Sequence, residues 1–337
     1  MDIRAAIAHL TAGDDLTEAD AEAVVRDIMG GSVTPAQLGA FLVALRMKGE
    51  RVEEITGAAR AMRVHAEHVV TARDVVDTCG TGGDASGTFN ISTAAAFIAA
   101  GAGVAIAKHG NRAMSGRVGG ADVLEALGVR IDLAPEQVKA CIEEVGIGFL
   151  FAQRFHPAMR HVAAVRREIG VRTVFNLLGP LTNPAGARAQ IVGVFGREWV
   201  EPLAQALSRL GSRRALVVHG EDGLDEITLT GPTLMAELRD GAVRSSRFEP
   251  ASVGLATCAA TDLAGSDAPG NAVLVRAVLS GTATAAQRDI TLLNAAGAIY
   301  VAGLAASLAD GVVRASASIE SGAAAGKLER LIEVSNR

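Results

Sequence analysis

VVDTCGTGGDASGTFNISTAAAFIAAG, running from Val75 to Gly101, carries three signals in a row. Val75 to Gly80 is a short β-branched run ending in glycine, which predicts a strand. Ile91 to Gly101 is a run of small and apolar residues that predicts a helix. Between them, Gly80 to Asn90 places four glycines (Gly80, Gly82, Gly83 and Gly87) within eight residues. Glycine reaches positive φ and lets backbone amides come close to a ligand. The start of the following helix adds unpaired N–H groups and a positive dipole end, which suits phosphate. Asn90, Ser92 and Thr93 supply side-chain donors there. Two readings remain open for the loop alone, a tight turn with a helix cap or a phosphate cradle. It is neither a Walker A loop nor a GxGxxG fingerprint, so it does not suggest ATP or NAD.

The alternation continues downstream. Val104 to Lys108 predicts a strand, Gly119 to Leu127 a helix, and Pro135 to Val145 a helix with Val138, Cys141, Ile142 and Val145 inward. Ile147 to Ala152 predicts another strand. A helix around Pro202 to Leu210 precedes a strand at Ala215 to His219, and residues 226–245 look like antiparallel strands. The last sixty or so residues return to alanine-rich helices. Upstream of Asp74 no strand is needed. Thr17 caps a helix with Ala21, Val24 and Ile28 inward, ended by Gly30-Gly31. Thr34-Pro35 opens a second, with Leu38, Phe41, Leu42 and Leu45 at helical spacing. Ile55, Ala58, Ala59 and Met62 repeat the pattern, and the whole segment reads as four helices. The expected fold is α/β: a small all-helical domain plus a larger α/β domain with a central mixed, mainly parallel sheet. The expected division is residues 1–72, completed by helices within about 156–188, and residues 73–337.

Composition narrows the function. The chain has 337 residues, 49% hydrophobic and 20% charged, enough apolar content for a large core and too much for global disorder. A net charge of −5 argues against nucleic-acid binding through bulk charge, and 3% aromatics leave few rings for base stacking. Cys79, Cys141 and Cys258 are odd in number and not spaced as a zinc site, which fits a reducing cytoplasm. The N-terminus turns acidic too early for a signal peptide, and no run of about 20 residues reads as a membrane span.

Three further segments carry chemistry. KHGNRAMSGRVGGAD, Lys108 to Asp122, also lies between a strand and a helix and holds Lys108, His109, Arg112 and Arg117 with Asn111 and Ser115. Basic and small polar residues at a strand's carboxyl end suit a polyanion in an α/β crevice. A second such loop makes a merely solvated surface a poorer explanation for both. HGEDGLDEI, His219 to Ile227, crowds Asp222, Asp225 and Glu226, and Mg²⁺ often bridges one or two carboxylates to substrate phosphates. In RFHPAMRHVAAVRREIG, Arg154 to Gly170, Arg166 shares helical spacing with Val162 and Val165. It either meets a substrate carboxylate or pairs with Glu168 or a neighbouring acid. NLLGPLTNPAG, Asn176 to Gly186, reads as a rigid turn that could act as a hinge between domains.

GTGGD, KHGNR, the NLLGPLTNP turn and the GLDE pair, in this order and spacing, closely resemble the anthranilate phosphoribosyltransferase family, and the likeness runs essentially end to end. The resemblance implies the nucleoside phosphorylase class II fold, with the active site between a helical and an α/β domain. It implies transfer of the phosphoribosyl group of PRPP to the amine of anthranilate, in tryptophan biosynthesis. Gly80, Thr81, Gly82, Gly83, Asp84, Thr88, Asn90, Ser92, Thr93 and Lys108 fall on PRPP-binding positions. Gly80, His109, Asn111, His156, Arg166 and Gly179 fall on the anthranilate side, with Arg166 facing the carboxylate. Ser92, Asp225 and Glu226 fall on magnesium positions, two Mg²⁺ per monomer. No obligate acid or base is implied, and His109 is an orienting group. The resemblance also implies a cytoplasmic homodimer joined through the helical domain, with possible contact to anthranilate synthase and no nucleic-acid or membrane partner. The competing readings are a pyrimidine nucleoside phosphorylase, which Asp225-Glu226 and KHGNR speak against, and a non-enzymatic nucleic-acid-binding relative. Cys79 stands where valine or isoleucine is commoner, as a packed strand residue.

Overall fold

The computed structural model describes residues 1–84, 86–113 and 118–337. Four helices come first: α1 (Ile3–Ala12), α2 (Glu18–Met29), α3 (Pro35–Lys48) and α4 (Val52–Val64). Their ends follow the expected chemistry. The Thr17 hydroxyl accepts from the Asp20 amide at 3.1 Å. Thr34 and Gln37 form a reciprocal capping box, with Pro35 at the first helical position. Leu38, Phe41, Leu42 and Leu45 are buried, each worth roughly 1.5–3 kcal/mol relative to exposure.

The α/β part runs β1 (Val75–Gly80), α5 (Ile91–Gly101), β2 (Ala105–Gly110), α6 (Gly120–Ala126), α7 (Pro135–Ala140) and β3 (Ile147–Phe151). It continues through α8 (Ala152–Phe155), α9 (Arg160–Ile169), α10 (Phe175–Leu178), β4 (Ala189–Gly193), α11 (Val200–Arg209) and β5 (Arg214–Gly220). The antiparallel pair β6 (Thr233–Arg239) and β7 (Ala242–Phe248) follows, then α12 (Ala268–Leu279), α13 (Ala285–Val301), α14 (Leu308–Glu320) and α15 (Ala323–Ser335). The sheet has seven strands in the order β3-β2-β1-β4-β5-β6-β7. β1 to β5 are mutually parallel, and β6 and β7 add antiparallel to one edge.

Several elements differ from the sequence expectation. β4 has no counterpart in it, yet this is the strand between β1 and β5. Its five residues are all buried, so it shows no polar/apolar alternation. Residues 226–232 are loop, not strand; Asp222 holds that loop by accepting from Thr228 Oγ1 at 2.7 Å and from Thr230 Oγ1. Pro157 divides the Arg154–Gly170 segment, so α8 ends at Phe155 and α9, which carries Arg166 with Val162 and Val165, starts at Arg160. The Pro135–Val145 helix finishes in a π-helical turn at Cys141–Val145. The segment read as a rigid turn from Asn176 is helical through Leu178 and passes into a single 3₁₀ turn at Gly179–Leu181.

The chain moves one way from β1 through β2 to β3, then returns to place β4 on the other side of β1. The carboxyl ends of β1 and β4 therefore bound a topological switch point, the position where open α/β sheets bind ligands. Two cores flank the sheet. One packs α5, α12, α13 and α15 against one face. The other joins α1–α4 to Val162, Phe175, Leu178 and Leu181, and these to Val192, Val217 and α11 on the opposite face.

Candidate active site

β1 ends at Gly80, and the glycine loop is tied at once to its neighbour strand. The Thr81 amide donates to Gly193 O at 2.8 Å, and the Phe195 amide donates to Thr81 Oγ1 at 3.0 Å. Gly82 and Gly83 then take φ of +65° and +81°, conformations that side chains resist. The loop rejoins the body where Thr88 bridges to Ala264. Asn90 stands at the start of α5 with its side chain free of the helix amides. Its Nδ2 donates to Val118 O at 3.2 Å, and its Oδ1 accepts from Asn271 Nδ2 at 3.0 Å.

The acidic pair closes against this loop. Asp225 Oδ2 accepts from the Gly82 amide at 2.8 Å, and Glu226 Oε1 accepts from the Ser92 amide in the first turn of α5 at 3.1 Å. The helix start thus holds a carboxylate where its dipole favours an anion. The fit depends on two glycines: a Cβ on Gly193 would lie 1.5 Å from the Asp225 carbonyl oxygen, and one on Gly80 2.5 Å from Asp225 Oδ2. Both carboxylates keep a face toward solvent but are walled in on the other sides. Burial, with Asp84 and Glu226 alongside, holds the Asp225 carboxyl well above the usual range. Burial pushes Glu226 up to about 7 despite the nearby Lys108 ammonium. Among the described residues no group of three or more His, Cys, Asp or Glu encloses a metal by itself. An oxygen-only pair whose charges lack full compensation, beside a third carboxylate, Asp84, and a glycine-rich loop, does fit Mg²⁺ shared with substrate phosphates.

β2 contributes the opposite wall. Lys108 is buried, and its ammonium donates to Thr78 O and, at 3.2 Å, to Ser92 Oγ. Burial lowers its pKa. The His109 amide donates to Asp77 Oδ1 at 3.0 Å, and its ring Nδ1 lies 3.1 Å from Gly179 O. A carbonyl only accepts, so Nδ1 carries the proton and Nε2 presents a lone pair. That Nε2 is buried and without a partner, as is Nε2 of His156, whose ring centroid is 5.0 Å away. Burial lowers the two imidazoles to about 3 and about 4. Both are therefore neutral at pH 7. Their share of stability is lost as pH falls below the unfolded value of about 6.5, where the unfolded chain takes up protons first. Two of the seven histidines should accordingly show NMR ring resonances that stay at neutral positions down to pH 5.5. Titration of all seven near pH 6.5 would contradict this.

Asn111 Oδ1 accepts from Gln153 Nε2 at 3.3 Å and from the Arg112 amide. Arg112, read as part of a polyanion loop, instead pairs with Asp122 at 2.9 Å and Glu125 at 2.5 Å. Ser115 and Arg117 lie outside the described residues. Arg166 has no acidic partner among the described residues. The pairing with Glu168 is not formed, and the guanidinium sits 5.7 Å from the Phe175 ring, half-buried, its pKa lowered by that burial. Phe175 lies four residues before Gly179. Thr93 is buried in α5, and Cys79 is a packed strand residue whose thiol burial pushes up.

Other groups that hold the site escaped the sequence reading. Asp77 is fully buried in β1 and accepts from the His109 amide and from Asn183 Nδ2 at 2.7 Å, so it fastens β2 to the turn after α10. A carboxylate inside a β-branched run was the available signal. Asn271 had no local signal at all.

Residues 4–66 match the family described as "Glycosyl transferase family, helical bundle domain", and residues 72–325 match "Glycosyl transferase family, a/b domain". The chain is 58% identical over 335 residues to an anthranilate phosphoribosyltransferase of Rubrobacter xylanophilus, covering 99% of this chain and 98% of that one. The solved anthranilate phosphoribosyltransferase of Thermus thermophilus is 48% identical and superimposes with a TM-score of 0.94, over 98% of this chain and 99% of that one. The Saccharomyces cerevisiae enzyme is 28% identical over 99% of this chain and 98% of its own. It has been solved in complex with PRPP and Mg, TM-score 0.90, and with 4-fluoroanthranilate, TM-score 0.89.

Proposed function

Since the chain belongs to the anthranilate phosphoribosyltransferase family, we propose that its cleft joins the phosphoribosyl group of PRPP to the amine of anthranilate and releases pyrophosphate. The observation that carries this reading is the convergence of two unlike groups of residues at the carboxyl ends of β1, β2 and β4. One is a glycine loop, a helix start and an acidic pair; the other is a pair of neutral imidazoles whose buried Nε2 atoms have no partner among the described residues.

PRPP takes the first group, with its diphosphate on Gly80 to Asp84 and the α5 start, and with Thr88, Asn90, Ser92, Thr93 and Lys108 around it. Two Mg²⁺ per monomer, held by Ser92, Asp225 and Glu226, would supply charge neutralisation for the departing diphosphate. Anthranilate takes the second group, bounded by Gly80, His109, Asn111, His156 and Gly179, with Arg166 for its carboxylate. The C–O bond to diphosphate breaks with its electron pair going to oxygen, and the anomeric carbon becomes oxocarbenium-like. The amine lone pair forms the C–N bond from the opposite face. His109 Nε2 accepts an amine N–H and thereby aims that lone pair. With a pKa of about 3 it is no base toward the free amine. It can take a proton only from the strongly acidic arylammonium formed as the C–N bond closes.

We take residues 1–72, with helices within 156–188, as a unit that moves against 73–337. We also place the enzyme in the cytoplasm as a homodimer, with possible contact to anthranilate synthase. Exposed Val43 and Met47 on α3 offer apolar surface for a dimer contact through the helical unit, and three free cysteines suit a reducing compartment.

The test is loss of anthranilate fluorescence with purified protein, which should require both PRPP and Mg²⁺; a folded but inert protein would end the reading. In the same assay Arg166→Met should raise the anthranilate KM by about 10-fold or more, the usual worth of a charge-assisted hydrogen bond. The PRPP KM should stay within about twofold. Equal rises in both constants would place Arg166 outside the anthranilate pocket.

A further inference from the structure

α9 is closed by Gly170 in the left-handed conformation, and the chain then reaches Arg172, an exposed residue held at both ends. Its carbonyl accepts from Arg46 Nη1 of α3 at 2.6 Å. Its guanidinium lies over the Phe195 ring, 4.2 Å from the centroid, and donates through Nη2 to Gly83 O in the glycine loop. Phe195 is itself fastened to that loop through its amide and Thr81 Oγ1. Glycine loop, Phe195 and Arg172 thus form a closed ring of contacts, though Gly83 and Arg172 are 89 positions apart.

Some exposed arginines are spent on acids, as Arg209 is on Glu53 and Glu18, Arg247 on Glu221 and Glu249, and Arg276 on Glu329, while others, such as Arg160, Arg167 and Arg188, have no acidic partner among the described residues. Arg172 differs from both groups in being stacked on a ring beside the glycine loop. Among the described residues it meets no acid, and its one acceptor is a neutral carbonyl. A guanidinium has five N–H donors in a rigid fork, and stacking on an aromatic ring fixes its plane before a ligand arrives. A phosphate oxygen is a far stronger acceptor than a peptide carbonyl. We infer that Arg172 is a diphosphate-binding residue, which presents its remaining donors to the PRPP diphosphate seated on the glycine loop. This rests on the assignment of that loop to PRPP. Because Arg46 grips the Arg172 backbone, occupancy of the loop also draws on a contact from the helical unit.

The test uses the full-length enzyme with inorganic pyrophosphate and Mg²⁺ as the calorimetric probe, and steady-state constants for both substrates. Arg172→Met should weaken pyrophosphate binding and raise the PRPP KM together, by about 10-fold or more, with the anthranilate KM within about twofold. Arg172→Lys keeps the charge but not the fork or the stacking, and should fall between Met and wild type. Phe195→Leu, which removes the platform, should lie on the same side as Arg172→Lys. A folded Arg172→Met protein that binds pyrophosphate within twofold of wild type would overturn the inference, as would equal rises in both KM values. A wild-type enzyme that neither binds pyrophosphate nor consumes PRPP would sink the PRPP assignment instead, which separates the two failures.

Discussion

Replacing Asp225 and Glu226 together by Asn and Gln is expected to lower turnover by about 10³-fold while leaving the protein folded and, without Mg²⁺, no less stable. The substitutions are close to isosteric. The amide oxygens can still accept from the Gly82 and Ser92 amides, at 2.8 and 3.1 Å in the native pair. What is lost is negative charge in a place where charge is costly: burial first, and then the neighbouring Asp84 carboxylate, already hold both carboxyls above their ordinary range. Such an arrangement harms the empty protein and is useful only when a cation arrives. The double variant should therefore melt about 2–4 °C higher than wild type at pH 8 without Mg²⁺. Added Mg²⁺ with pyrophosphate should raise the melting temperature of the wild type only. A double variant that melts well below wild type would mean the pair serves the fold, and one that keeps Mg²⁺-dependent activity would remove it from the catalytic account.

Gly193→Ala is expected to cost about 1–3 kcal/mol of stability and at least about 100-fold in activity. The added Cβ would meet the Asp225 carbonyl oxygen at 1.5 Å and its carbon at 2.3 Å. Both are backbone atoms, so no rotamer change relieves the overlap. The strand cannot yield easily, because Gly193 is registered against Gly80 on one side and Val218 on the other. The segment carrying Asp225 and Glu226 must move instead, and displacement by about an ångström is enough to spoil positioning. Gly326→Ala in α15 is the control: its Cβ meets nothing within 4 Å, and a helical glycine replaced by alanine gains about 0.5–1 kcal/mol. Near-native activity in Gly193→Ala would show that the acidic pair tolerates relocation.

Local chemistry explains what the sequence disclosed. The glycine loop, the start of α5 and the acidic pair each announce themselves within about a dozen residues, because φ, dipole and charge crowding are local properties. The four N-terminal helices were legible from their caps and apolar spacing. β4 was not: a five-residue strand buried throughout carries no periodicity, and Gln190 within it reads as surface. In fact its Nε2 is spent on Pro180 O at 2.8 Å. The struts of the site were also hidden, since they join distant positions. Asp77 and Asn183 are 106 residues apart, and Asn90 and Asn271 are 181 apart. Arg112 misled for the same reason. A basic loop residue looks available until the fold brings Asp122 and Glu125 to it.

The central claim is that one cleft couples diphosphate departure to attack by the amine. It is tested most directly by following pyrophosphate release and anthranilate loss in the same reaction. The account predicts one-for-one stoichiometry only when PRPP, Mg²⁺ and anthranilate are all present, with both signals slowed together by about 10³-fold in the Asp225→Asn/Glu226→Gln variant. Pyrophosphate released at the full rate without anthranilate loss, or anthranilate left untouched by folded wild-type protein, would contradict it.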